Sequence, residues 1–368
     1  MLKTPLHEEH LLLKARMVDF AGYDMPVLYS GIRDEYTAVR NNCGIFDISH
    51  MAPILISGKN PEDLTGFLNY LTCRDVANLE SGKVQYNAIT SEQGGLLDDI
   101  TIYKINDLKY ILLANSSNAQ KVIRHLNKWK EEKFASVQIE PYKDYVLMAL
   151  QGKNSEMELK KILTSGDADF QDLFFYEFTL FKNHNHPYFL SRTGYTGEDG
   201  FEILLPEKEG IELWKKLISN GVAPCGLGSR DTLRMEVFYP LYGNELSETR
   251  TPIESSIDWI VSSKKEYLGK KNIFHSPPGK KVTGFIMSAK GALPRSHFPA
   301  ENASGEIIGE VTSGGFSFLW DRGFGMAFLN KEYLKDGQKI YIDIRGKKNE
   351  ALVQIKSPYK GSIKRRKK

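Results

Sequence analysis

Apolar residues recur along this chain of 368 residues with two different spacings. Apolar positions three or four residues apart are typical of helices, and they occur at 6–17, 31–40, 61–71, before 129, after 155 and around 214–218. Alternating positions and short apolar runs predict strands at 44–51, 84–89, 100–103, 109–113 and 145–150. Because the strands come in pairs with helices between them, the pattern predicts an α+β protein with antiparallel sheets.

The chain changes character after the breaker Pro277-Pro278-Gly279. Beyond it almost no helical spacing occurs, and short strands are predicted at 282–286, 307–312, 323–329, 339–344 and 351–355. Short strands separated by turns are typical of all-β domains. We therefore expect a domain boundary at residue 277.

A pair of carboxylates stands at the start of the strand predicted at 100–103. Gly94 and Gly95 permit a sharp turn, and Asp98 and Asp99 follow at the mouth of an apolar run. Such a pair is either an ordinary turn, whose side chains hydrogen-bond their own backbone, or a place for chemistry. These residues alone leave both interpretations open.

A second polar region lies between Ser191 and Ile203. Its three glycines predict a tight loop, and Tyr195 at the crest offers a flat face on which a heteroaromatic ring can stack. Glu202 enters the following strand. There it faces either solvent or a ring with adjacent N–H donors, which would pair with the carboxylate in bidentate fashion.

A third region is the glycine-rich turn at 226–228, which leads into a helix. Arg230 and Arg234 are four residues apart and therefore lie on one helix face. Two guanidinium groups on one face suit a carboxylate ligand, but salt bridges with Asp231 or Glu236 are an equal alternative.

Three smaller groups also have alternative interpretations. The sequence at 115–118 predicts a helix cap, although Asn115 is also placed to donate to a ligand. His50 lies on the strand predicted at 44–51, where a histidine faces a ligand or hydrogen-bonds within the fold. His184 and His186 have no metal-ligand spacing, so we expect a surface loop there and no metal.

Charge and cysteine content narrow the class of protein. The formal charge is +3, but six cations lie within 360–368, and the rest of the chain carries about −3. We expect no nucleic-acid binding and a disordered basic tail. Three scattered cysteines fit a reducing compartment, so we expect the chain to be cytoplasmic. No apolar run of about 18 residues occurs, so we expect no membrane-spanning segment.

Taken together, six motifs resemble the folate-binding aminomethyltransferase family, to which the T-protein of the glycine cleavage system belongs. The resemblance runs from Thr4 to about Pro358. It is carried by Arg16-Met17-Val18-Asp19-Phe20, Phe46-Asp47-Ile48-Ser49-His50-Met51, Gly94-Gly95-Leu96-Leu97-Asp98-Asp99, Thr193-Gly194-Tyr195-Thr196-Gly197-Glu198, Gly226-Leu227-Gly228-Ser229-Arg230-Asp231-Thr232-Leu233-Arg234 and Leu241-Tyr242-Gly243.

The resemblance implies a cloverleaf fold: two interleaved ferredoxin-like α+β units around a folate cavity (1–276), a C-terminal β-barrel (277–358) and the basic tail (359–368). It also implies a reaction in which tetrahydrofolate, as co-substrate, takes the methylene carbon from the aminomethylated lipoyl arm of H-protein. Ammonia leaves, and no metal is needed. Asp98 is the expected catalytic carboxylate, with Asp99 in support. The expected folate-binding residues are Met51, Tyr86, Asn115, Tyr195, Glu202, Arg230, Arg234 and Trp259.

Two relatives that share the fold are the alternatives. An iron–sulfur assembly factor of this superfamily would carry a Lys-Gly-Cys-Tyr-x-Gly-Gln-Glu signature, which the loop at 193–198 lacks. A formaldehyde-capturing domain of a demethylating oxidase would normally follow a flavin-binding domain, and no dinucleotide fingerprint precedes this region. One departure from the family pattern is Phe318, which stands where relatives usually carry proline.

Overall fold

The computed structural model describes residues 1–164, 166–182, 184–275 and 277–366. Its helices are α1 (His7–Leu12), α2 (Ile32–Asn41), α3 (Pro61–Leu71), α4 (Ala119–Lys133), α5 (Ser155–Lys160), α6 (Glu207–Ser219), α7 (Leu227–Glu236) and α8 (Lys270–Ile273). Within these ranges no helix is both long enough and apolar enough to cross a membrane.

The strands before residue 277 are β1 (Arg16–Phe20), β2 (Tyr23–Leu28), β3 (Gly44–Asp47), β4 (Ala52–Ser57), β5 (Val84–Thr90), β6 (Leu96–Asn106), β7 (Lys109–Ala114), β8 (Gln138–Pro141), β9 (Tyr145–Gln151), β10 (Phe178–Leu180), β11 (Phe189–Ser191), β12 (Gly200–Pro206) and β13 (Ala223–Pro224). Those after it are β14 (Lys280–Met287), β15 (Pro299–Glu301), β16 (Ile307–Ser317), β17 (Arg322–Asn330), β18 (Lys339–Ile344) and β19 (Lys347–Gln354).

Two sheets make up the body of the molecule, and the chain passes between them. The first sheet has the strand order β5-β6-β7-β4-β8, and the second has β10-β11-β12-β9-β3-β13. In the second sheet β3 pairs with β9, although every strand of the first sheet lies between them in sequence. The two α+β units are therefore interleaved.

Each sheet has one face against helices and one face in a shared core. On the first sheet, Ile100 and Ile102 belong to the cluster that contains Leu126 of α4. Tyr103, on the opposite face of β6, belongs to a cluster that also contains Leu204 of the second sheet. Because successive strand residues alternate in direction, neighbouring side chains of β6 enter different layers.

The last six strands form a closed barrel in the order β14-β17-β16-β15-β18-β19. The fold-class prediction, α+β with a C-terminal barrel, is confirmed. The sequence pattern missed β15, because a strand of three residues that begins with Pro299 shows no alternation. The limits predicted for the domains stay a prediction, and Ser276, beside the expected boundary, lies outside the described residues.

The helix expected at 6–17 and the basic tail differ from the structure. The single helix expected at 6–17 is only α1, because the chain turns at Lys14, with φ of 56°, and continues as β1. The tail expected to be disordered lies against the body up to Arg366: the amide of Phe175 donates to the carbonyl of Lys364 (3.0 Å), and Arg366 pairs with Glu177 (2.9 Å). Acidic partners on the body account for this docking. Lys367 and Lys368 lie outside the described residues.

Candidate functional site

Asp98 faces the helices that cover the first sheet. Its carboxylate accepts hydrogen bonds from the amide of Asn115 (2.9 Å), from Asn115 Nδ2 (2.9 Å) and from Asn118 Nδ2 (2.6 Å), and the residue is 0% exposed. The cap predicted at 115–118 is absent, since both asparagine side chains hold Asp98 instead. Burial, together with the charge of Asp99, raises the pKa of Asp98. This buried carboxylate thus accepts these three hydrogen bonds from two asparagines.

Asp99 faces the other way, towards the second sheet. Its side chain accepts a hydrogen bond from Tyr86 Oη (3.0 Å) and one from Asn115 Nδ2 (2.8 Å), and it stays partly exposed. Burial raises its pKa, against the opposing effect of the hydrogen bond from Tyr86. Tyr195, across the space between the sheets, is close enough to feel the charge of Asp99. Of the two carboxylates, Asp99 and not Asp98 therefore faces the second sheet, and the choice of the catalytic residue stays a prediction.

Glu202 lies on the second sheet and faces the same space. Its neighbours Phe201 and Ile203 pack into the core on the helix side of that sheet, so alternation turns Glu202 towards the first sheet. It is 8% exposed, and its Oε2 accepts a hydrogen bond from Thr193 Oγ1 (2.6 Å). The solvent-facing alternative for Glu202 is therefore wrong.

Arg230 lies over the ring of Tyr195, with Cζ 4.8 Å from the ring centroid. Burial lowers its pKa, and Glu202 partly compensates. Its Nη1 is buried and has no hydrogen-bond partner among the residues that the structure describes. A buried donor without a partner is costly, so this nitrogen is well suited to a ligand oxygen.

Arg234 has a different position, although it lies on the same helix. It is 1% exposed and binds Asp231 (2.8 Å), Glu245 (3.1 Å) and Ser313 of β16 (2.8 Å). These contacts join α7 to the barrel. All three nitrogens of the Arg234 guanidinium group thus donate to protein acceptors, whereas Arg230 keeps a donor without a partner in the described part of the chain.

The remaining predicted residues lie around the same space. Met51 packs at the edge of the core between the sheets, and its carbonyl accepts a hydrogen bond from Tyr145 Oη (2.6 Å). Trp259 is 63% exposed and stacks on Tyr86, with ring centroids 5.7 Å apart and planes 20° apart. Tyr86 therefore joins Asp99 inside to Trp259 at the rim.

Three further residues, which the sequence pattern did not single out, lie beside these side chains. Tyr176 has a φ of 68°, and burial raises its pKa, an effect to which the nearby Tyr239 and Glu202 add. The Tyr239 ring is 5.9 Å from that of Tyr195. Arg74 donates from Nη1 to the carbonyl of Tyr86 (3.2 Å). The aromatic run at 174–176 was the signal available for Tyr176.

His50, which had two interpretations, is buried beside this site. The rings of His50 and Phe20 are nearly perpendicular, with centroids 5.4 Å apart, and His50 Nδ1 is without a hydrogen-bond partner in the described part of the chain. Burial lowers its pKa to about 4, so the ring is neutral near pH 7.

The space between the sheets thus combines two carboxylates, several tyrosine faces and one cation with an unpaired donor. Glu202 and Arg230 together suit a flat heteroaromatic ring that carries N–H donors and a carbonyl oxygen. A pterin has this set of groups, so the residues fit a folate. Among the described residues, no group of three or more His, Cys, Asp or Glu could hold a metal ion.

Comparisons with known proteins agree with this architecture. Residues 6–265 match the family model described as the GCVT N-terminal domain, and residues 280–360 match the glycine cleavage T-protein C-terminal barrel domain. An aminomethyltransferase of Leptospira interrogans is 41% identical over 99% of this chain and 98% of its own length. One of Thermosipho melanesiensis is 42% identical over 100% of both. A crystal structure of the glycine cleavage system aminomethyltransferase T from Bartonella henselae superposes with a TM-score of 0.91, at 30% identity and 99% coverage of both chains.

Proposed function

We propose that this chain, which belongs to the glycine cleavage T-protein family of aminomethyltransferases, transfers a methylene carbon to tetrahydrofolate. The donor of that carbon is the aminomethylated lipoyl arm of H-protein. Ammonia, methylene-tetrahydrofolate and the dihydrolipoyl arm are the products. The chain is a transferase that matches these relatives over 98–100% of their length, and the alternative roles as an assembly factor or an oxidase domain are not favoured. The observation that carries the proposal is the partly exposed carboxylate of Asp99, which acts on Tyr195, the ring over which Arg230 lies.

The proposal gives the catalytic role to Asp99 and a supporting role to Asp98. The carboxylate of Asp99 points into the space between the sheets, where Tyr86 and Asn115 hold it in one orientation. A held carboxylate can orient a secondary amine, stabilise nearby positive charge and take up a proton. Burial raises the pKa of Asp99, which makes it a better proton acceptor than an ordinary aspartate. Asp98 is fully engaged with Asn115 and Asn118, so its role is to fix the strand and the two asparagines.

Binding of the co-substrate is assigned to the residues around that carboxylate. Tetrahydrofolate supplies the secondary amine that accepts the carbon. Glu202 would accept hydrogen bonds from the pterin, and the unpaired Nη1 of Arg230 would donate to an oxygen. Tyr86 and Tyr195 would enclose the ring from either side. Met51 would line the cavity, and no contact is assigned to Arg234.

H-protein as partner and the cytoplasm as compartment are part of the same proposal. All three cysteines are free and buried, and burial raises the thiol pKa of Cys43 to about 12. Such thiols are poor nucleophiles and are protected from oxidation, which fits a chain that needs no disulfide.

The proposal is tested by incubating the chain with aminomethylated H-protein, with and without tetrahydrofolate. We expect ammonia and methylene-tetrahydrofolate to form in equal amounts, and ammonia release to depend strongly on the folate. If the chain binds the folate but releases no ammonia, the transferase proposal is wrong for this substrate, and the folate-binding alternatives return.

A further inference from the structure

Arg74 is a half-buried cation for which the described residues provide no counter-ion. It follows α3, and its side chain donates a hydrogen bond from Nη1 to the carbonyl of Tyr86 (3.2 Å). No carboxylate within the described ranges forms an ion pair with it. The neighbouring Asp75 accepts hydrogen bonds from Asn69 Nδ2 (3.1 Å) and from the amide of Ala77 (2.9 Å), so this carboxylate is otherwise engaged. Burial lowers the pKa of Arg74.

A surface pocket of about 410 Å³ opens beside this guanidinium group. Trp259, at 63% exposure, forms one wall, and Arg74 Cζ lies 5.5 Å from the centre of its ring. Gln85 and Ser262 add polar groups to the lining. An exposed indole next to a cation without a counter-ion is a place where an anion with a flat neighbouring group can bind.

Contacts of Tyr86 connect the pocket to the proposed folate site. The hydroxyl of Tyr86 binds Asp99, its ring stacks on Trp259, and its carbonyl binds Arg74. Tyrosine has about the same length as the aminobenzoyl group that separates the reacting amine of a folate from its glutamyl tail. A folate whose amine lies at Asp99 would thus bring its tail carboxylates to Arg74.

We propose that Arg74 and Trp259 form an outer subsite that binds the glutamyl carboxylates of the folate tail; this inference rests on the proposed function. The lipoyl arm is the competing occupant. Its aminomethyl group is a protonated amine at neutral pH, and the guanidinium of Arg74 would repel it. A carboxylate is attracted instead, and the half-buried position keeps the attraction from being fully screened.

The test compares two ligands: tetrahydrofolate, and 6-methyltetrahydropterin, which has the ring but no tail. Dissociation constants are measured at low salt for the wild-type chain, Arg74→Gln, Arg74→Lys and the control Arg124→Gln, an exposed arginine on α4. We expect Arg74→Gln to weaken tetrahydrofolate about five- to tenfold, as for a partly exposed charged contact, and to leave the tetrahydropterin within about twofold. Arg74→Lys should recover part of the loss, and Arg124→Gln should change neither ligand.

Three results would overturn the subsite. Equal weakening of both ligands would mean that Arg74 acts by supporting Tyr86. Unchanged binding of both would mean that the tail lies elsewhere. A rise confined to the KM for H-protein would assign the pocket to the partner. A wild-type chain that bound neither ligand would refute the proposed function itself, which separates the two failures.

Discussion

Replacing Asp99 and Asp98 by asparagine in separate variants should divide chemistry from folding. Asn at 99 retains an oxygen for the hydrogen bond from Tyr86 but removes the charge that faces the second sheet. Positioned proton transfer is worth about a hundred- to ten-thousandfold in rate, so we expect kcat/KM of Asp99→Asn to fall at least about a hundredfold. The melting temperature should hold, because this side chain is partly exposed.

Asn at 98 should have the opposite effect. Its amide nitrogen would meet the N–H donors of Asn115 and Asn118, and each unsatisfied buried donor costs about 1–3 kcal/mol. Removal of a buried carboxyl with a raised pKa offsets part of this cost. We expect a net loss of about 2 kcal/mol and a melting temperature lower by a few degrees. The rate should change less than in Asp99→Asn.

The assay is folate-dependent ammonia release at saturating H-protein, with thermal unfolding followed on the same preparations. The assignment of catalysis to Asp99 is wrong if Asp98→Asn loses the rate while keeping its stability, and Asp99→Asn retains most of the rate. In that case the carboxylate enclosed by Asn115 and Asn118 would have to reach the substrate through a rearranged strand.

Four further variants or conditions extend the account. Glu202→Gln should weaken tetrahydrofolate about tenfold or more, because a charge-assisted contact becomes neutral, and calorimetric titration would measure it. The raised pKa of Asp99 should place the acid limb of kcat/KM above pH 4, with activity lost as pH falls and the carboxylate gains a proton; a profile shared by Asp99→Asn would contradict this. Arg234→Leu should lower the melting temperature strongly, since Glu245 is left buried and unpaired, and intact stability would show that the junction with the barrel tolerates its loss. Deleting 364–368 should lower stability slightly while leaving the affinity for H-protein at low salt unchanged, because Lys364 and Arg366 are already paired with the body; a weaker affinity would give the tail a docking role.

The position of the site could be predicted from the sequence, but the orientation of its residues could not. The spacing of apolar residues located the strand that carries Asp98 and Asp99, and alternation alone requires two adjacent side chains on a strand to point to opposite faces. Which face looks into the cavity depends on what covers each side. That is decided by α4 and the second sheet, which are distant in sequence.

The same limit explains the arginines and the asparagines. Helical spacing correctly put Arg230 and Arg234 on one helix, but Arg234 hydrogen-bonds to Ser313 in β16 of the barrel. The asparagines at 115–118 have the chemistry of a cap, yet a buried carboxylate 17 residues earlier is the better acceptor for their N–H groups. In both cases the side chains bind residues distant in sequence, and the local pattern could not show these partners.

A crystal structure of the chain with tetrahydrofolate would show which carboxylate meets the reacting amine. We expect the pterin against Glu202 and Arg230, and the secondary amine within hydrogen-bonding distance of the carboxylate of Asp99. Asp98 would still be bound to Asn115 and Asn118, without contact to the folate. A folate whose reacting amine meets Asp98, or one bound away from the space between the two sheets, would contradict the account.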